Sequence, residues 1–261
     1  LDSQTGEQLW RISTSSEVLS IPQANDQLVL VQSIDGRVSA YERQTGELRW
    51  SFNSDLPSLT LRGTSTPVLT HNLSYAGFAN GKLVALDNNN GAVVWEQRIS
   101  LPQGRSEIDR LVDIDGPLKL DGQLLFINSY QNRLAAVNVL NGELVWQQPV
   151  SSRQAPLPFD NQVLVLGQDD QVRSYDKSSG DLLWHNDNLT WRGLSGLLVS
   201  KDAVIVTDRS GYSHILTLNT GKLVGRYYNS SLVGTGINAL QYDKQLYLQS
   251  QTGKLINLTL D

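Results

Sequence analysis

Side chains able to do acid–base or metal chemistry are few and scattered. The three histidines, His71, His185 and His214, stand far apart. His185 has Asp181 and Asp187 near it, but no second histidine at a spacing that would complete a metal motif. Cysteine is absent, which removes disulfides, thiolate nucleophiles and thiolate metal ligands. No GxSxG, HExxH or GxxxxGK[ST] pattern occurs, so nucleophile-elbow, zinc-protease and phosphate-loop chemistry have no sequence to act through. The densest charged stretch is SEIDRLVDIDGP (106–117), where Glu107, Asp109, Asp113 and Asp115 stand with Arg110 among them. Its DIDG resembles part of a calcium loop, but the other ligands are not at the required offsets. A carboxylate pair of the glycosidase kind is a matter of distance, not of spacing in sequence. The expectation is therefore no catalytic residue, no metal and no cofactor, with the histidines solvated or hydrogen-bonded.

The elements that must carry these residues are set by composition and repetition. The chain has 261 residues, 18% charged and 39% hydrophobic, with a net charge of −5. It is long enough to bury a sizeable core and is expected to be globular. Net acidity argues against a general nucleic-acid binder, which needs a basic stripe. No apolar run approaches the ~18 residues of a spanning helix, and no signal-peptide pattern is present. Methionine is absent and the sequence starts in mid-pattern at LDSQTGEQLW. It reads as a processed or cut chain, from which an export signal or lipid-attachment cysteine would have been lost.

One segment recurs as LDSQTGEQLW (1–10), YERQTGELRW (41–50), LDNNNGAVVW (86–95), VNVLNGELVW (137–146) and YDKSSGDLLW (175–184). A degenerate copy, LTLNTGKLVGRY (216–227), lacks the tryptophan. The turn glycines Gly6, Gly46, Gly91, Gly142, Gly180 and Gly221 are 40, 45, 51, 38 and 41 residues apart. A second hairpin precedes each later copy, as in IDGRVSAY and ANGKLVAL, and Asp35-Gly36 and Asn80-Gly81 suit two-residue turns with positive φ. Upstream of each lies an apolar, β-rich run: QLVLVQS (27–33), QLLFINS (123–129), QVLVLG (162–167) and AVIVTD (203–208). Four short strands in about 40–45 residues make a propeller blade. The fold class is all-β: a single β-propeller over residues 1–261, built from six four-stranded antiparallel units. Trp10, Trp50, Trp95, Trp146 and Trp184 are expected to fill the gaps between blades. The last unit ends at GKLINLTLD (253–261), so either SQTGEQLW supplies its missing strand and the ring closes at six, or the ring is larger.

Two links exceed the repeat, SFNSDLPSLTLRGTST (51–66) and EQRISLPQGRSEIDRLVDIDGP (96–117). Both run from the outer strand of one blade to the inner strand of the next. Being successive, they should be neighbours on one face, where a loop can thicken a binding surface without disturbing the blades. Leu59, Leu61 and Arg62 in the first read either as an interface anchor or as leucines tucked into the blade. Asp113 and Asp115 in the second read as partner contacts or as turn-capping residues of a solvated loop.

The tryptophan repeats resemble those of quinoprotein alcohol dehydrogenases. That resemblance implies a ring holding pyrroloquinoline quinone and calcium, often beside a disulfide of adjacent cysteines, which this chain lacks. LPSLTLRGTSTPVL (56–69), ANGKLVALDNNNGAVVWEQRIS (79–100) and SEIDRLVDIDGP (106–117) more closely resemble the BamB family, and that likeness runs over nearly the whole chain. Members are lipoprotein subunits of the BAM machinery that assembles outer-membrane β-barrels. The resemblance implies an eight-bladed propeller, of which this chain would cover the last six blades. It implies a monomeric, non-enzymatic scaffold, lipid-anchored at the periplasmic face of the outer membrane. It also implies docking on the POTRA domains of BamA through Leu59, Leu61, Arg62, Asp113 and Asp115, and contact of a blade edge with unfolded β-barrel substrates. The readings from other classes are a quinone-dependent dehydrogenase and a periplasmic peptide-binding propeller with another partner.

Overall fold

A computed structural model describes the chain except residues 3, 58, 61–63, 102–105, 107–110, 115, 130–132, 153, 235, 243–244 and 259–261. The described residues form strands, turns and loops only, in six antiparallel sheets whose strand order follows the sequence. The first sheet holds β1 (Gln23–Ala24), β2 (Leu28–Gln32), β3 (Arg37–Glu42) and β4 (Leu48–Asn53). The second holds β5 (Val68–Leu69), β6 (Leu73–Gly77), β7 (Lys82–Asp87) and β8 (Val93–Arg98). The third holds β9 (Lys119–Asp121), β10 (Leu124–Ser129), β11 (Arg133–Asn138) and β12 (Leu144–Gln148). The fourth holds β13 (Leu157–Phe159), β14 (Gln162–Leu166), β15 (Val172–Asp176) and β16 (Leu182–Asn186). The fifth holds β17 (Ser195–Ser200), β18 (Ala203–Thr207), β19 (Ser210–Thr217) and β20 (Leu223–Val233). The sixth has three strands, β21 (Asn238–Tyr242), β22 (Gln245–Gln249) and β23 (Leu255–Leu258). The first three sheets belong to one compact unit, Leu1–Ala155, and the last three to another, Pro156–Asp261.

In the first five sheets the second strand is buried on both faces. β2, β10, β14 and β18 fall within the four runs read from the sequence. Their side chains enter cores shared by neighbouring sheets: first with second, second with third, fourth with fifth, and fifth with sixth. Across the third and fourth strands, each tryptophan faces a small residue. Trp50 pairs with Ala40, Trp95 with Ala85, Trp146 with Ala136 and Trp184 with Ser174. The register slips directly after each of these small residues.

The indoles reach across to the next sheet. Trp50 Nε1 donates to Asn88 O at 2.8 Å, Trp95 Nε1 to Val139 O at 2.9 Å and Trp184 Nε1 to Leu218 O at 2.8 Å. Each ring lies on the turn glycine of the next repeat. At Gly91, φ is +73° and a Cβ would meet Trp50 Cδ2 and Cε3 at 2.8 Å. Glycine there serves the left-handed turn and the approach of the ring together. Trp50, Trp95 and Trp184 thus fill the gaps between their sheets, as their spacing predicts. Burying one indole contributes about 2–3 kcal/mol.

Two expectations are corrected. Residues 1–10 form no strand among those described; instead Trp10 Nε1 donates to Arg43 O at 2.8 Å and its ring covers Gly46. Trp10 therefore meets the first sheet as Trp50 meets the second. The tight turn before β3 is a three-residue loop. Gly36 N donates to Ser33 O and Ser33 N to Arg37 O, and only Gly36 has positive φ. The Asp35 carboxylate accepts from Ser33 Oγ at 2.6 Å and Arg37 N at 3.3 Å, which holds the longer loop.

Candidate partner-binding face

The two long links meet. Leu56, Thr60 and Thr64 of the first and Asp113 and Ile114 of the second line one cleft, closed by Gln32, Ser33, Gly77 and Phe78 of the first two sheets. Its room is about 10 Å³, enough for one water and far too little for a cofactor. The two segments are neighbours on one face, as their places in successive links predict.

The floor is a hydrogen-bonded knot. Gln32 Nε2 donates to Gly77 O at 2.8 Å, and Gly77 N donates to Ser65 Oγ at 3.1 Å. Ser65 Oγ lies 3.2 Å from Gln32 Oε1 and 3.0 Å from Gly77 O. Gln32 and Ser65 are both buried, so these bonds offset their desolvation. Asn80 Nδ2 then ties the second sheet to the first link, donating to Asp55 O at 2.7 Å and Ser54 Oγ at 3.1 Å.

The second link is not a solvated loop over its described end. Leu111, Val112, Ile114 and Leu118 are buried, and Ile114 and Leu118 belong to the core of the second and third sheets. Ile114 N donates to Phe78 O at 3.2 Å, and the Ile114 side chain fills the space a Cβ on Gly77 would need. The segment is an apolar strap with acids set into it.

Of the five residues picked from the sequence, two are among those described. Leu59 is 42% exposed, so it is not tucked into the blade beneath; Leu56, beside it, packs on Gly36. Asp113 is buried, 1% exposed, at the wall of the cleft. Its carboxylate is turned into the protein and does not reach solvent. Leu61, Arg62 and Asp115 lie outside the described residues, as do Glu107, Asp109 and Arg110.

The histidines fall as a hydrogen-bonded and two solvated side chains. His71 and His185 are exposed. His214 is fully buried, with Nε2 at 2.9 Å from Asp208 Oδ2. Arg192 Nη1 reaches the same oxygen at 3.1 Å, while Ser210 N and Tyr212 N donate to Asp208 Oδ1. Burial opposes the Asp208 charge, but the bonds from His214, Tyr212 and Arg192 outweigh it and hold its carboxyl below the usual range. Burial pushes the His214 ring below its ordinary value against the pull of Asp208. This cluster escaped the motif search because its members are joined by the β18–β19 turn and a distant loop, not by a motif spacing. Among the described residues, no group of three His, Asp or Glu could hold a metal ion.

Comparison with known proteins accounts for this arrangement. A family model, "Outer membrane protein assembly factor BamB", matches residues 1–165 and 140–241. The outer membrane protein assembly factor BamB of Pseudomonas aeruginosa is 41% identical over 207 residues, 79% of this chain and 54% of that protein. The corresponding protein of Shewanella oneidensis is 32% identical over 260 residues, 100% of this chain and 66% of that protein. The chain thus spans between half and two thirds of the length of these relatives. The crystal structure of BamB from Moraxella catarrhalis superposes with a TM-score of 0.89 at 27% identity, covering 100% of this chain and 78% of that one. A quinohemoprotein alcohol dehydrogenase from Comamonas testosteroni shares the fold at a TM-score of 0.68 and 14% identity, covering 94% of this chain and 53% of that one. The sheets are blades of a β-propeller, and with the family match over most of the sequence the chain belongs to the BamB family of outer membrane protein assembly factors.

Proposed function

We propose that this chain is the greater part of one propeller domain, eight-bladed in the whole protein, that works as a non-enzymatic scaffold of the BAM complex. It docks on the POTRA region of BamA and so supports insertion of β-barrels into the outer membrane. The protein stands at the periplasmic face of that membrane, held by a lipid anchor. The observation that carries the reading is the shared cleft. Two long links, each foreign to the repeat, are brought to one face and braced from below, while Leu59 stays open to solvent. A braced loop has already lost its conformational freedom, so docking costs less there.

Leu59 and Leu61 supply apolar area, and Arg62 sets orientation toward acidic groups of the partner. Asp113, in the wall beneath, and Asp115 bias the face toward a partner of complementary charge. The likeness to a quinohemoprotein enzyme is one of fold.

Isothermal titration of the chain with purified POTRA region tests this. Leu61→Ala and Arg62→Ala should each weaken binding by about 1–3 kcal/mol, the range of an interface anchor, with the unfolding midpoint unchanged. Binding that is unaltered in both variants removes the first link from the interface.

A further inference from the structure

The link between β16 and β17 carries an echo of the first long link: LTLRG at 59–63 and LTWRG at 189–193, each followed two residues later by a buried serine, Ser65 and Ser195. We infer that this second loop is a separate protein-docking point, which takes a carboxylate-bearing segment of a partner chain. This inference does not rest on the reading given for the first link.

Three observations carry it. First, Trp191 is 79% exposed, unlike the buried Trp50, Trp95, Trp146 and Trp184, and its φ is +65°. A bulky side chain in the left-handed region is strained, and an exposed indole gains nothing from the core in return. Second, the loop is rigid. Leu189 is fully buried as its anchor, and Thr190 N and Oγ1 both bond Asp187 O. Arg192 N donates to Leu189 O at 3.3 Å, while Gly193 N and Leu194 N donate to the two oxygens of Asp170 at 2.7 and 2.8 Å. The Arg192 guanidinium is clamped on buried Asp208. An aromatic held out on a prepared loop is the form of a binding anchor, because little freedom is lost on docking.

Third, the side chain packed along the glycine of this loop is a cation. Arg209 N donates to Arg192 O at 3.1 Å, and the Arg209 side chain lies along Gly193, where a Cβ would meet its Cδ at 3.1 Å. Arg209 is exposed, and its guanidinium has no ion pair among the described residues. The acids that could neutralise it are committed elsewhere: Asp170 to the Gly193 and Leu194 amides, Asp208 to Arg192 and His214. Asp187, at the start of the loop, is the exposed acid nearby in sequence. The indole stands two residues before Gly193 and the Arg209 side chain lies along that same glycine, a fit for an apolar side chain next to a carboxylate. A protein segment suits this better than a membrane, since one indole and one free cation on a chain of net charge −5 make a poor lipid anchor.

The test uses a displayed library of random short peptides, selected on the full chain. Enriched peptides are then titrated by tryptophan fluorescence. The account predicts enrichment of Asp and Glu, and a blue shift on binding as Trp191 leaves water. Trp191→Asn and Arg209→Glu should each weaken binding by at least about tenfold, the loss expected of an anchor. Asparagine tolerates the left-handed turn, so an unchanged unfolding midpoint separates lost binding from lost fold. No enrichment, or peptides that bind both variants as well as wild type, would overturn the inference. So would Trp191-dependent binding to phosphatidylglycerol vesicles in place of peptides, or self-association abolished by Trp191→Asn.

Discussion

Replacing Gly91 by alanine tests how the blades are held together. Two costs are built into this site. At φ +73° any Cβ is strained, which costs about 1–2 kcal/mol. The new Cβ would also stand 2.8 Å from Trp50 Cδ2 and Cε3, closer than real contacts allow. The indole has nowhere to go, since its Nε1 is bonded to Asn88 O and its other face is in the core. Overpacking of this kind costs about 1–3 kcal/mol more. Gly122, in the β9–β10 turn, is the control: its φ is +58°, and a Cβ there would have nothing within 4 Å. Gly122→Ala therefore carries only the strain. Urea unfolding followed by tryptophan fluorescence should show Gly91→Ala less stable than Gly122→Ala by about 1–3 kcal/mol. Equal losses in the two variants would refute the idea that ring-on-glycine contacts pin blade to blade.

Other outcomes follow from the same contacts. Ile114→Ala should cost about 2–4 kcal/mol of stability, because the side chain is buried against Gly77, whereas Leu59→Ala should change stability by less than about 1 kcal/mol; chemical denaturation of both checks this. Trp50→Phe keeps a ring but leaves Asn88 O without its donor, so a loss of about 1–3 kcal/mol is expected in the same assay. The folded state lowers the His214 pKa, so the unfolded chain takes up a proton first as the pH falls below about 6.5. Stability should therefore drop from about pH 7 to pH 5, and His214→Gln should flatten that slope in thermal melts; the lowered carboxyl of Asp208 acts only in a separate window, below about pH 4.

Much of the architecture is legible because periodic residues report on it. Continuous apolar, β-rich runs gave β2, β10, β14 and β18 nearly residue for residue, and Trp50, Trp95 and Trp184 marked gaps between sheets. The small residue before each register slip was visible in VSAY, LVAL, LAAV and VRSY, though its role as the floor under an indole needed the pairing. What sequence could not convey was long-range placement. An acidic stretch reads as solvated, yet Leu111, Val112 and Ile114 between its acids carry it into the core, and Asp113 goes with them. Trp191 belongs to no repeat, so its exposure and its left-handed backbone emerge only once Leu189 and Asp170 are seen to fix the loop. The Asp208–His214 pair is six residues apart, meeting across a hairpin whose turn gives no metal or catalytic spacing.

The most direct test of the central claim is amide hydrogen exchange on the chain, free and saturated with the POTRA region of BamA. Exchange should slow in residues 54–66 and 111–118 and stay unchanged at 187–194. Protection that spares both long links, or falls mainly on another face while binding is saturated, would contradict the account.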